Sequence, residues 1–215
     1  LGDEVVIIDS ALSPDANHLL VSTRSKKGDA GQAGKMPLYV TESGYEEFEN
    51  VRTRVGRNDP GPQTLWQVDL ASGKASKVSF DGLPGITNDP LAELRKAAGK
   101  DALKGNRDVQ VGAGFGAPSM VWNADGSQAA VMLRAIDNKD RWIATLTPGS
   151  ERLSSRHRLT DAAWINWNYN DFGWLDDGRT LWMLSEQSGY SHLYTQAGTA
   201  RPQALTGGNW EASMP

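Results

Sequence analysis

The 215 residues carry a formal net charge of −4, are 22% charged and have a mean hydropathy of −0.49. That balance excludes nucleic acid and an acidic membrane surface as partners, and apolar runs as short as Val5 to Ile8 exclude a membrane-spanning helix. With no cysteine there is neither a disulfide nor a thiolate metal site, while 23 glycines and eight tryptophans favour a turn-rich β protein.

No basic-then-apolar leader opens the sequence, so no secretory signal is read from it. The first element in chain order is "ALSPDANHLLVSTRS" from Ala11, an apolar strand behind an acidic turn at Asp15. Two later segments superpose on it: "VWNADGSQAAVMLRA" from Val121, with Asp125-Gly126, and "GWLDDGRTLWMLSEQ" from Gly173, with Asp177-Gly178. Asp and Gly tolerate the left-handed backbone of a tight hairpin, and the apolar residues beside them suit a pleated surface. Each hairpin is followed by two more strands, the first pair joined through Ser72-Gly73-Lys74, the second broken at Pro148-Gly149 and the third given by "SHLYTQAGTARPQALT". Four sequential strands per unit describe a propeller blade, and known rings close with roughly 4–8 of them.

Two stretches leave the pattern. Residues 41–63, "TESGYEEFENVRTRVGRNDPGPQ", form a polar insertion within the first blade. Residues 81–112 carry the one helix signal, in which Asp89 caps, Pro90 enters the first turn, and Leu91, Leu94 and Ala98 mark an apolar face. The expected fold is all-β, a partial β-propeller of about three four-stranded antiparallel blades with one short helical insertion. Its blades span 1–80, 113–163 and 164–208, and residues 209–215 begin a further blade.

Individual residues narrow the chemistry. His18, His157 and His192 fall in different units without metal-ligand spacing, which favours structural roles and no metal site; His192 is expected to bond neighbouring backbone. "VGAGFGAP" (Val111 to Pro118) has the glycine density of a phosphate loop but is followed by Pro118 and a strand, not a helix, so it leads into a blade and no nucleotide or other cofactor is expected. Glu46 and Glu47 form a carboxylate pair that could hold an ammonium group or simply face solvent. "WINWNYND" (Trp164 to Asp171) interleaves aromatic rings and amides, which suits a short peptide substrate. The competing reading is packing between blades; it is the better one for Trp164, and Trp167, Asn168 and Tyr169 stay open as substrate-binding residues.

"LSEQSGYSHLY" followed by "ALTGGNWE" resembles the propeller of the prolyl oligopeptidase family, particularly its dipeptidyl-peptidase IV branch. In that branch a strand ends in Ser-Glu, a Gly-aromatic-x-His-hydrophobic-Tyr turn follows, and Leu-Thr-x-Gly-x-Trp-Glu closes the blade; Ser185 to Tyr194 and Leu205 to Glu211 match in order. The inserted "SGYEEFENVRTRVGRNDPGPQTLWQVDL" also looks like that branch's blade insertion. The resemblance spans most of the chain, strongest after Trp164 and weakest between Asp81 and Gly112.

It implies a propeller that covers a C-terminal α/β-hydrolase domain, admits short peptides and orients them, in a parent serine peptidase of the periplasm or secreted. The sequence contains no Gly-x-Ser-x-Gly elbow, so no catalytic residue is assigned to it. The Trp-x-Tyr-Glu-Glu type motif that grips the substrate's amino terminus in that branch is also missing from it. The competing class is a non-enzymatic β-propeller that binds proteins, of the periplasmic translocation-accessory type. Unpaired blade edges invite association, which makes a homodimer an expected outcome.

Overall fold

In each of the three repeats, one turn is built from the same bonds. An aspartate accepts the backbone N–H two residues on: Asp15 from Asn17, Asp125 from Ser127 and Asp177 from Arg179. The residue between them has positive φ: Ala16 (55°), Gly126 (72°) and Gly178 (62°). Outside the turn, Ser13, Asn123 and Leu175 each accept an N–H three residues on and donate their own to a carbonyl five residues on. This is the side-chain-supported turn that Asp forms readily, and it starts every blade.

The computed structural model describes residues 4–26, 33–53, 61–112 and 118–214. The first sheet has the order β1 (Val5–Leu12), β2 (His18–Ser25), β5 (Gln63–Asp69), β6 (Lys74–Lys77), with a separate hairpin of β3 (Ala33–Leu38) and β4 (Glu47–Thr53) inserted between β2 and β5. After a six-residue helix, α1 (Ala92–Ala97), β7 (Val109–Val111) and β8 (Met120–Trp122) both pair with β9 (Ala129–Ala135), which continues through β10 (Asp140–Leu146) to β11 (Ser154–Thr160). The third sheet runs β12 (Phe172–Trp174), β13 (Thr180–Ser185), β14 (His192–Ala197), β15 (Gln203–Ala204). All pairings between these strands are antiparallel, and one isolated parallel bridge joins Ser79 to Arg152. The described chain is thus nearly all β, an open stack of three blades, the first and third four-stranded and the second five-stranded.

Two details differ from the sequence-based expectations. The excursion from the first blade includes a hairpin that starts at Ala33, ahead of residue 41, and β7 adds residues 109–111 to the second blade. β7 and β8 lie end to end on one side of β9, with Val111 opposite Leu133 and Met120 opposite Val131. The glycine-rich run is the break between them; its residues 113–117 lie outside the described ones. Gly112 has φ +87°, and a Cβ there would lie 2.2 Å from the Ser119 hydroxyl, so only glycine lets the two ends of the break approach.

The helix differs as well. Its N-cap position is Leu91 with no side-chain cap, and none of its residues is buried; Leu94 is 68% exposed. Asp89 acts one turn earlier, accepting the Leu91 N–H and pairing with Arg95 at 3.0 Å. The apolar face read at Leu91, Leu94 and Ala98 meets no core because six residues make under two turns.

The core lies between blades. β9 presents Ala129, Val131 and Leu133 to a cluster with Leu20 and Leu65 of the first blade, while Ala130 and Met132 meet Leu181 and Met183 of the third. Covered on both faces, β9 and β10 bury nearly every residue, including Trp142 and Arg141. A repeated hydrogen bond ties neighbouring inner strands: the Trp122 indole donates to Ala11 O (3.0 Å), and the Trp174 indole, one repeat later, donates to Val121 O (2.9 Å). Residues 81–108 are fastened to the second blade by Trp142 donating to Pro84 O and by Asp140, which pairs with Arg107 and Arg158 at 2.6 Å each.

Because the blades are antiparallel meanders, their connections alternate between two ends. The repeated aspartate turns share one end with the β5–β6, β10–β11 and β14–β15 turns at 70–73, 147–153 and 198–202. The opposite end carries the end of β2 and the start of β5, the loop 161–171, the turn 186–191 and the chain after Ala204.

Gly178→Val forces a β-branched residue into left-handed backbone and should destabilise the third blade by about 1 kcal/mol or more, read as a lowered Tm. Trp174→Phe keeps the ring but removes the donor to Val121 O; denaturant unfolding should report a loss of about 0.5–1.5 kcal/mol. The equivalent Trp122→Phe should lose a similar amount if the two bonds are equivalent.

Candidate functional site

The aromatic–amide segment connects β11 to β12, so its ends are set by two blades at once. Asp161 starts it, accepting the N–H groups of Ala163 and Trp164, while the Lys139 ammonium holds the Ala162 and Ala163 carbonyls. Ile165 is buried and donates to Asn138 O at 2.9 Å. The far half is held by Arg141 of β10, which donates to Tyr169 O (2.7 Å), Asn170 Oδ1 (2.8 Å) and Leu184 O (2.9 Å).

Arg141 is fully buried. Burial pulls its guanidinium down to about 10, with Glu186 partly offsetting the effect, so it remains a cation at neutral pH. A buried cation whose charge is spread over three oxygen acceptors is a rigid fastening, since losing any acceptor leaves a desolvated donor. Glu186 lies at the end of β13, where burial raises its carboxyl above the usual range; Asn166 donates to it at 3.4 Å and opposes that rise.

The sequence-read residues fall on this frame as follows. Trp167 is half-buried against the core between the second and third blades, with the Arg134 guanidinium 5.5 Å from its ring centroid. Asn168 is exposed, its N–H held by Asn166 Oδ1, and Tyr169 is half-buried. Trp164, expected to pack between blades, is 72% exposed, because the Asp161 turn and buried Ile165 direct it outward. Glu46 and Glu47 are exposed on the inserted hairpin, where Glu47 accepts the Ser43 hydroxyl at 2.6 Å. Among the described residues no hydrogen bond or ion pair joins them to residues 167–169.

Sequence reasoning did not reach Arg141, read Glu186 only as part of the matching motif, and did not single out Asn166 or Asn170 within the aromatic–amide segment. An arginine opening the apolar run "RWIATL" was the available signal, since a fully buried strand exacts a high cost for a cation without partners. The motif residues after Glu186 prove structural. His192 bonds Thr206 Oγ1 (3.2 Å) and Gly208 O (3.0 Å) and meets Trp210 edge-on, Tyr194 bonds Ser188, and Glu211 accepts the Ser191 N–H. Together they fold the chain after β15 back onto β14. His157 is buried beside Gln187, at 3.0 Å from Nε2. No group of three or more His, Asp or Glu that could hold a metal occurs among the described residues, and none of their helices is long and apolar enough to cross a membrane.

The fold and this site define an open stack of β-propeller blades. Residues 117–214, the second and third blades, match the family model of the dipeptidyl peptidase IV (DPP IV) N-terminal region, which bears out the resemblance carried by their motifs. Among solved structures the chain is similar to Porphyromonas gingivalis dipeptidyl peptidase 4, with 17% identity and a TM-score of 0.63 over 95% of this chain and 25% of that one. It is also similar to a Bacteroides ovatus protein described as a dipeptidyl aminopeptidase IV, with 12% identity and a TM-score of 0.60 over 97% of this chain and 30% of that one. At such identities these likenesses show the fold, and the chain spans about a quarter to a third of either protein's length. No curated protein matches at the sequence level.

Burial holds the His157 imidazole down to about 4, with Arg141 adding to the fall and Gln187 opposing it. A folded state that refuses a proton the unfolded chain accepts near pH 6.5 loses stability as pH falls from about 6.5 to 4. Urea unfolding across that range should show the loss, up to about 3 kcal/mol from this group, and His157→Gln should flatten it.

Proposed function

We propose that this chain is the substrate-gating and orienting part of a dipeptidyl-peptidase-like serine exopeptidase. The chemistry resides in an α/β-hydrolase domain of the parent protein. There a serine attacks the scissile carbonyl, a histidine moves the proton and backbone amides hold the oxyanion. The chain's own residues contribute binding and alignment, not bond-breaking.

The observation that carries this reading is the fastening of residues 161–171. Arg141, Asp161 and Lys139 hold its backbone while Asn168 stays exposed and Trp167 and Tyr169 half-buried. A rigid backbone that offers rings and an amide suits a short peptide, because little ordering entropy is lost on binding. Glu46 and Glu47, exposed by the tip of the inserted hairpin, supply carboxylates able to pair with a substrate ammonium group. The match of residues 117–214 to the dipeptidyl peptidase IV N-terminal region supports the same assignment.

In the parent protein, Asn168→Ala and Tyr169→Ala should each lower kcat/KM on dipeptide substrates about two- to tenfold, the worth of one hydrogen bond of roughly 0.5–1.5 kcal/mol. A contact equal in ground and transition states raises KM alone, whereas one that aligns the scissile bond lowers kcat too. Kinetics identical to wild type for both single variants and the double variant, on several dipeptide substrates, would return the segment to a packing role.

A further inference from the structure

The end of the stack that carries the aspartate turns has chemistry the proposed function does not use. A cleft of about 910 Å³ opens there between the second and third blades. Its floor and walls come from the end of β10, the start of β11, and the third blade's turns at 177–180 and 197–199. Three arginines line it: Arg152, Arg156 and Arg179.

None of the three makes an ion pair within 4 Å among the described residues. Asp125 and Asp177 also line the cleft, but both are consumed by their own turns. Asp125 accepts the Ser127 N–H, and Asp177 accepts the N–H groups of Arg179 and Thr180 and the Thr180 hydroxyl. Counting all five charges, the lining is net positive in a chain whose total is negative. Arg156 is the least compensated. It is half-buried, burial lowers its guanidinium pKa, its Nε has no partner, and its one contact is a long 3.5 Å bond to Gln196 O. A partly desolvated cation without a carboxylate is relieved by a bound anion.

The rest of the lining says what the anion is attached to. Gln128, Thr145, Thr147, Ser154 and Thr199 present an amide and hydroxyls that both donate and accept, Asn123 being committed to Ser127, Gly178 and Gln128, and large apolar side chains are absent from the wall. Such a surface suits neither a lipid nor an aromatic ligand, and the volume far exceeds a bare phosphate. We propose that this cleft binds an anionic saccharide, its phosphate or carboxylate on the arginines and its hydroxyls on the Ser, Thr and Gln groups.

Isothermal titration of the 215-residue chain at low salt tests this, with glucose 6-phosphate, glucuronate, glucose and inorganic phosphate as separate probes. Glucose 6-phosphate or glucuronate should bind saturably at one site, more tightly than glucose or phosphate, and more weakly as salt rises. Arg156→Gln and Arg179→Gln should each weaken binding about tenfold, the loss of one charge-assisted hydrogen bond. Arg179 is exposed on a turn, so its variant keeps the test valid should Arg156→Gln unfold, which a melting curve reports. No saturable binding of either charged sugar overturns the proposal, as does binding that both arginine variants leave unchanged. Phosphate binding as tightly as glucose 6-phosphate overturns the saccharide and leaves a site for small anions alone.

Discussion

Burial of the second blade on both faces is the constraint from which the other features follow. A sheet covered on one side can alternate apolar and polar residues, but β9 and β10 have no solvent face to spend on polar groups. Small residues at Ala129, Ala130 and Ala144 let neighbouring sheets approach, and the two tryptophan indoles then bridge inner strands at equivalent points of the repeat. The indole N–H has somewhere to go only because the preceding strand is that close. Packing and polar satisfaction therefore reinforce each other at both junctions.

The same constraint explains why the polar residues inside this blade are so consequential. Arg141 and Asp140 stand side by side on β10, yet each is neutralised or solvated by protein in a different direction. Asp140 turns to Arg107 and Arg158 and fixes the long excursion, whereas Arg141 turns to the loop 161–171 and fixes the candidate substrate segment. Two charges in one strand thus set the geometry of the two irregular stretches that flank it. Breaking such a buried arrangement costs more than the pairing contributes, because the surviving charge stays desolvated.

The two ends of the stack have different characters. The loop end gathers aromatic rings, amides and a carboxylate that burial makes harder to ionise, on backbone held from below. The turn end is made of short hairpins whose aspartates are committed to backbone N–H groups, and three arginines face the cleft between the second and third blades there. A meander produces this segregation by topology: tight hairpins recur at one end, and the longer connections, free to vary in sequence, collect at the other.

Much of the fold was readable because its information is local. Asp-Gly turns, strand-length apolar runs and the repeat they form depend on residues within about a dozen positions, and the three blades appear where those signals stand. The closing motif from Ser185 to Glu211 was legible for the same reason. What the tertiary structure alone decided is the partner of each buried polar group and the outward or inward sense of each loop ring. Trp164 reads like a packing residue but is exposed, because Asp161 and Ile165 set the loop's path; the face of α1 reads as apolar but reaches no core. Arg141 reads as one charge among 22 basic residues and becomes the anchor of the candidate site only when β10 is enclosed. Those facts depend on contacts between residues tens of positions apart, whose energies are set by burial, and burial is a property of the assembled blades and not of any one segment.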